Sequence, residues 1–257
     1  MIPKIIHWCW LSDDPIPANL QKCMDSWKVY LSDYEFVHWD FNRFPRGTSQ
    51  WVDEAFDHKM YAFAADYIRL YALYNYGGIY LDMDVEVLKP FDPLLAQNTL
   101  LCWQNEMPGI EAAVLGVEKN SPWIKACLDR YEGRSFIKPS GDFDTRVLPI
   151  IIERCLKKKG FLLESVDNVE FLGNSRTQTI KVLPYRFFSP KSYKSGKICV
   201  SEDTYTIHHF AGSWITTPEY ELKESRFWKH LGLPNLNICA KVYWRLYKPI
   251  VDLFDRD

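Results

Sequence analysis

Tyr76-Gly77-Gly78-Ile79-Tyr80-Leu81-Asp82-Met83-Asp84-Val85 combines a helix stop, a strand and two acids in one short stretch. The aromatic, alanine-rich run from about His58 to Tyr76 contains no Gly or Pro, and the glycine pair ends it as helices commonly end. Ile79-Tyr80-Leu81 then opens a strand that runs straight into Asp82 and Asp84. Carboxylates in a buried strand are costly unless something pairs with them, so these two acids need a partner. At the C-terminal end of a strand, where the chain turns outward, an Asp-x-Asp spacing lets two carboxylates approach one ion. Mg²⁺ and Mn²⁺ favour such oxygen ligands and keep open positions for further ones. The competing reading makes the acids helix caps or ion-paired edge residues. The apolar flanks Ile79-Tyr80-Leu81 and Val85 weigh against it.

Upstream, Lys4 to Trp10 is an apolar, β-branched run closed by Leu11-Ser12-Asp13-Asp14-Pro15, and it predicts a buried first strand and a loop. Pro17 to Tyr30 has helical spacing and Tyr34 to Trp39 alternates, so the opening third reads β-α-β, the plan of a nucleotide-binding half. Downstream, Thr99 to Cys102, Ala112 to Val117 and Thr204 to His208 read as strands, and Trp123 to Tyr131 and Arg146 to Lys159 as helices. Asp142 and Asp144 are expected to cap the helix that starts near Thr145, the alternative being that they face the acceptor. From Asn237 to Phe254, Ile238, Val242, Leu246, Ile250 and Leu253 recur at helical intervals with Lys241, Arg245 and Lys248 between them. No repeat or linker interrupts the chain, which therefore reads as one domain over residues 1–236 with a helical extension over 237–257.

With 257 residues, 47% of them hydrophobic, the chain can bury a sizeable core. Its 31 basic and 33 acidic residues nearly cancel, which removes the global field that nucleic-acid binding uses and leaves anion capture to a local site. The 10 Trp and 15 Tyr suit stacking on sugar rings and bases as well as packing. Seven scattered cysteines without a C-x-x-C pair argue against a disulfide framework and a structural zinc site. No apolar leader or membrane-length segment is present, so a cytoplasmic protein is expected.

Ala65-Asp66-Tyr67-Ile68-Arg69-Leu70, followed by the glycine-to-Asp84 stretch, resembles the D-x-D sugar-binding region of glycosyltransferase family 32, an arrangement shared by the glucosylating clostridial toxins. Ile2-Pro3-Lys4-Ile5-Ile6-His7-Trp8-Cys9-Trp10 is similar to the family's opening strand, and His208-His209-Phe210-Ala211-Gly212-Ser213-Trp214 to its C-terminal signature. The resemblance implies a GT-A-like α/β fold: a mixed, largely parallel sheet flanked by helices, with the donor across the carboxyl ends of the strands. It casts Asp66 and Arg69 as contacts to the donor sugar. Three residues apart, they also share a helix face, and the alternative is a buried pair that only braces the helix against the strand.

The same resemblance makes Trp10, with Trp8 as competitor, the platform for the donor's base, beside Leu11. It gives Asp82 and Asp84 a third metal ligand in His209, the histidine matching the H-x-x-G of family 8 transferases, and has Ser213 and Trp214 donate to the diphosphate. Implied is a retaining, Mn²⁺- or Mg²⁺-dependent transfer from a UDP-sugar to a hydroxyl acceptor, either a glycan or a lipid-linked one. Hydrolysis of the donor and a binding module without catalysis are the alternatives. The C-terminal helix either docks on the core or holds the enzyme at the inner face of a membrane.

Overall fold

The computed structural model describes residues 1–172 and 178–211. Ser213, Trp214, the boundary at residue 236 and the helix expected over 237–254 lie outside the described residues. The β-branched run after Pro3 forms β1 (Ile5–Cys9), and α1 (Ala18–Tyr30) leads to β2 (Glu35–Trp39). Two helices follow, α2 (Gln50–Asp57) and α3 (Tyr61–Tyr76), then β3 (Gly78–Leu81) and β4 (Val85–Val87). The remainder comprises β5 (Thr99–Leu100), β6 (Val114–Val117), α4 (Pro122–Asp129), α5 (Leu148–Lys158), β7 (Leu162–Ser165), β8 (Thr179–Val182) and β9 (Thr206–His208). Among the described residues no helix is long and apolar enough to cross a membrane.

The central sheet has the order β2-β1-β3-β6-β5. β1 pairs in parallel with β2 and β3, while β6 runs antiparallel to β3 and to β5. Four of the five strands thus point the same way and β6 alone is reversed. This is the mixed, largely parallel, helix-flanked sheet expected of a GT-A-like domain. Strand alternation divides the core between its two faces. Ile6, Ile79 and Leu81 pack with Leu20, Met24 and Trp27 of α1, whereas Tyr80, Leu115 and Val117 pack with Ile68, Leu73 and Ile124 of α3 and α4.

Two glycines set the α3–β3 corner. Gly77 ends α3 at φ 68, and Gly78 follows at φ 100. A Cβ on Gly78 would lie 2.7 Å from the Ile5 carbonyl oxygen, so only glycine admits β1 this close. The His7 ring fills the space beside it: Nδ1 accepts from Trp39 Nε1 at 3.1 Å, which leaves Nε2–H to donate to the Gly77 carbonyl at 2.8 Å.

The structure departs from the sequence reading in three places. The chain turns outward at the acids, as expected, with Val85 N–H donating back to the Asp82 carbonyl at 3.0 Å, but the residues beyond form a separate strand, β4, which belongs to a second sheet with β9. The helix expected from His58 begins at Tyr61 instead, because Lys59 adopts φ 59; a separate helix, α2, precedes it, capped by the Ser49 side chain on Val52 N–H. Asp142 and Asp144 do not cap α5, whose N-cap is Val147 without a side-chain bond. Asp144 is instead buried and ion-paired to Arg146 at 2.5 Å, with Arg130 and Arg134 at 3.8 and 3.7 Å, while Asp142 accepts from Ser140 at 3.0 Å.

Candidate active site

Leaving the sheet at Leu81 turns both acids to one side. Asp82 N–H donates to the Ala113 carbonyl at 2.9 Å, which fixes where the turn starts. Asp84 is tied down from the other side: its carbonyl accepts from His209 N–H at 2.9 Å and its Oδ2 from Ala211 N–H at 2.8 Å. One ligand atom each from Asp82, Asp84 and His208 lie within 4.8 Å of one another. Two carboxylate oxygens and an imidazole nitrogen suit a hard or borderline divalent cation such as Mg²⁺ or Mn²⁺. His208 Nε2 stands 3.4 Å from Asp84 Oδ1, and its Nδ1 3.3 Å from Oε1 of the buried Glu111.

The histidine in this cluster is the one before the residue that motif spacing selects. His209 points elsewhere, with Nε2 2.8 Å from Glu86 Oε2. The reason is strand alternation. β9 pairs antiparallel to β4 with Val85 opposite His208 and Glu86 opposite Ile207, so His209 falls on the Glu86 face and His208 on the opposite one.

Arg69 connects the helix to the acid turn. Its Nη2 lies 2.9 Å from Asp82 Oδ1 and 3.4 Å from Asp66 Oδ1, its Nη1 donates to the Ala112 carbonyl, and the guanidinium covers the Tyr80 ring at 4.4 Å. With its side chain 6% exposed, Arg69 makes the contacts of a brace between α3 and β3. Asp66 is 9% exposed, and burial, opposed by Arg69, pushes its carboxyl up to about 7. The two acids of the turn differ. For Asp82, burial outweighs Arg69 and raises the pKa; for Asp84, burial is overcome by His208 and by hydrogen bonds, and the pKa falls to about 2.

Because β1 and β3 are parallel with His7 opposite Tyr80, the chain beyond β1 leaves the sheet at the same edge as the acids. Trp10 stands there half-buried, its Nε1 donating to the Asp14 carbonyl at 3.0 Å. Trp8 is already stacked on His38 at 4.0 Å and 8°, so one face of its indole is taken. Leu11 is 8% exposed and its side chain belongs to the core. A cleft of about 420 Å³ opens beside Asp84, lined by Asn19, Lys22 and Cys23 of α1 and by Glu86, His209 and Ala211.

Residues 17–101 match the family model described as the glycosyltransferase sugar-binding region containing the DXD motif. That stretch is similar to a glycosyltransferase sugar-binding region. Over 127 residues it is 34% identical to inositol phosphoceramide mannosyltransferase 3 of Schizosaccharomyces pombe, covering 48% of this chain and 35% of that protein. A mannosyl phosphorylinositol ceramide synthase of Saccharomyces cerevisiae is 31% identical over 136 residues, 50% of this chain and 34% of the relative. The chain thus spans about a third of the length of these curated relatives. An uncharacterized glycosyltransferase of Acanthamoeba polyphaga mimivirus is 24% identical over 225 residues, 83% of this chain and 84% of that protein. Among solved structures, the PaToxG glycosyltransferase aligns over 62% of this chain and 70% of its own with a TM-score of 0.47 and 20% identity.

Two residues of this site escaped the sequence reading, His208 as a member of the acid cluster and Glu111. The signal for Glu111 was available: a lone acid inside Ile110-Glu111-Ala112-Ala113-Val114 needs a partner as much as the acids of the D-x-D do.

Proposed function

We propose that this protein is a metal-dependent glycosyltransferase that moves a sugar from a nucleotide-sugar donor to a hydroxyl acceptor, with Asp82, Asp84 and His208 as the residues that hold the cation. The observation that carries this reading is the convergence of those three ligand atoms at the carboxyl edge of a sheet whose D-x-D turn lies in the matched sugar-binding region. A divalent ion held there would neutralise the charge that develops on a departing nucleoside diphosphate.

The chain's own residues supply the rest. Arg69 keeps Asp82 oriented, leaving its second oxygen for the ion or the sugar hydroxyls, and Asp66 beside it faces the sugar. Trp10 offers an indole face to the base. Among the described residues no side chain of the site stands out as a glycosyl-carrying nucleophile, which favours a front-face displacement with retention: the acceptor oxygen bonds to C1 as the C1–O bond to the diphosphate breaks, and the acceptor's proton passes to that departing oxygen.

Relatives named as mannosyltransferases of a phosphoinositol lipid favour a mannosyl donor and a glycolipid acceptor, ahead of the UDP-sugars that the motif resemblance implies. A panel of GDP-mannose and UDP-sugars, with and without Mn²⁺, scored by nucleoside diphosphate release and by transfer to lipid and glycan acceptors, tests the assignment. One donor turning over only with the metal, EDTA abolishing the activity and Asp84→Asn lowering it ~100-fold or more is the expected pattern. Metal-independent turnover, or an undiminished Asp84→Asn enzyme, contradicts it. A lipid acceptor would bring the enzyme to a membrane surface, and vesicle flotation with and without residues 237–257 tests whether the tail contributes.

A further inference from the structure

We infer that Glu111 is a positioning residue for the metal site: it holds the His208 ring with its proton on Nδ1, so that the Nε2 lone pair is presented toward Asp82 and Asp84. The inference rests on the metal reading above. Glu111 lies in the loop between β5 and β6, and its side chain is 3% exposed. Its backbone N–H is fixed to the Cys102 carbonyl at 2.7 Å, and its Oε1 accepts from Ala113 N–H at 3.0 Å and stands 3.3 Å from His208 Nδ1.

A neutral imidazole has one donor nitrogen and one acceptor. With a carboxylate oxygen 3.3 Å from Nδ1, a buried atom with no aligned hydrogen bond of its own, the charge favours the proton on that nitrogen, and Nε2, 3.4 Å from Asp84 Oδ1, keeps the lone pair that a cation requires. The two neighbours of Glu111 serve the same site. The Ala112 carbonyl accepts from Arg69, and the Ala113 carbonyl accepts from Asp82 N–H at 2.9 Å. Three consecutive residues thus each fix one different member of the constellation, and Glu111 is the one that does so with a side chain. A buried carboxylate is too costly to keep as filler, whereas a carboxylate that orients a metal-binding histidine has a recurrent use.

Mn²⁺ binding followed by electron paramagnetic resonance tests this on the whole chain. Glu111→Leu, close in volume, is expected to weaken Mn²⁺ uptake about 10- to 100-fold, the usual effect of losing a carboxylate behind a metal-binding histidine. Glu111→Asp, which keeps the charge but withdraws it by one methylene, loses affinity in the same direction and carries the test if the leucine variant does not fold. In a His208→Ala background either change is expected to cost less than about threefold, because the partner through which Glu111 acts is gone. Unchanged uptake in the Glu111 variants overturns the inference, and so does an equal loss with and without His208, which marks a merely structural role. If the wild-type chain takes up no Mn²⁺, the metal reading itself fails, which is distinguishable from failure of the Glu111 step alone.

Discussion

Asp82 and Asp84 are separated by one residue, yet their environments pull their carboxyl groups in opposite directions. Asp84 accepts from Ala211 N–H and faces His208, so it stays ionised as a ligand; Asp82 shares Arg69 with Asp66 deeper in the fold, and burial wins there. His7 shows the same control away from the site. It is fully buried, and burial lowers its pKa to about 4, below an ordinary value of 6.5. The unfolded chain therefore binds a proton that the folded one refuses between those two values. Stability contributed by neutral His7 is complete above the ordinary pKa and is lost as pH falls, about 3 kcal/mol across the whole window. Chemical denaturation at pH 7 and pH 5 is expected to show a steeper loss for the wild type than for His7→Gln, which keeps a donor and an acceptor without titrating; equal losses would remove His7 from this role. At this scale Asp82 and Asp84 were legible from their spacing and apolar flanks, and Asp66 and Arg69 through the family resemblance. It missed Glu111, because that residue's partner lies 97 positions away, at His208.

The turn between α3 and β3 decides where the acids stand, and it depends on close backbone approach. Gly78→Ala puts a methyl group 2.7 Å from the Ile5 carbonyl at φ 100, so a loss of more than about 1 kcal/mol is expected, with β1 and β3 pushed apart. Thermal unfolding of the variant with no loss of stability would mean that the corner has slack that the geometry denies. Helix and strand existence was legible from apolar spacing and the glycine pair, since those are local signals. α2 was not read, although Ser49 supplies an N-cap and Trp51, Val52 and Ala55 a buried face over a single pair of turns. The choice between His208 and His209 was illegible for a different reason. Neighbours on a strand face opposite ways: the β4–β9 register, set by pairing across more than a hundred residues, sends His209 to Glu86, and the turn at Asp82–Asp84, outside that ladder, brings the acids to His208.

Across the described residues, parallel β1 and β3 bring Trp10 and the acids to one edge, and β9 then crosses beneath the acid turn to add the histidine. The α/β class was legible in the β-α-β opening, and the carboxyl edge was implied by the family resemblance; the reversed β6 and the separate β4–β9 sheet depend on long-range pairing that no local pattern encodes. His208, which the acid turn approaches, is proposed as the third ligand in place of His209, the histidine that the motif spacing selects. Metal-dependent glycosyl transfer, measured side by side for the wild type, His208→Ala and His209→Ala with the donor that turns over, tests it most directly. Loss of at least about 10-fold in His208→Ala, with His209→Ala within about threefold of wild type, is the predicted result. The reverse ranking, with His209→Ala crippled and His208→Ala active, would contradict it.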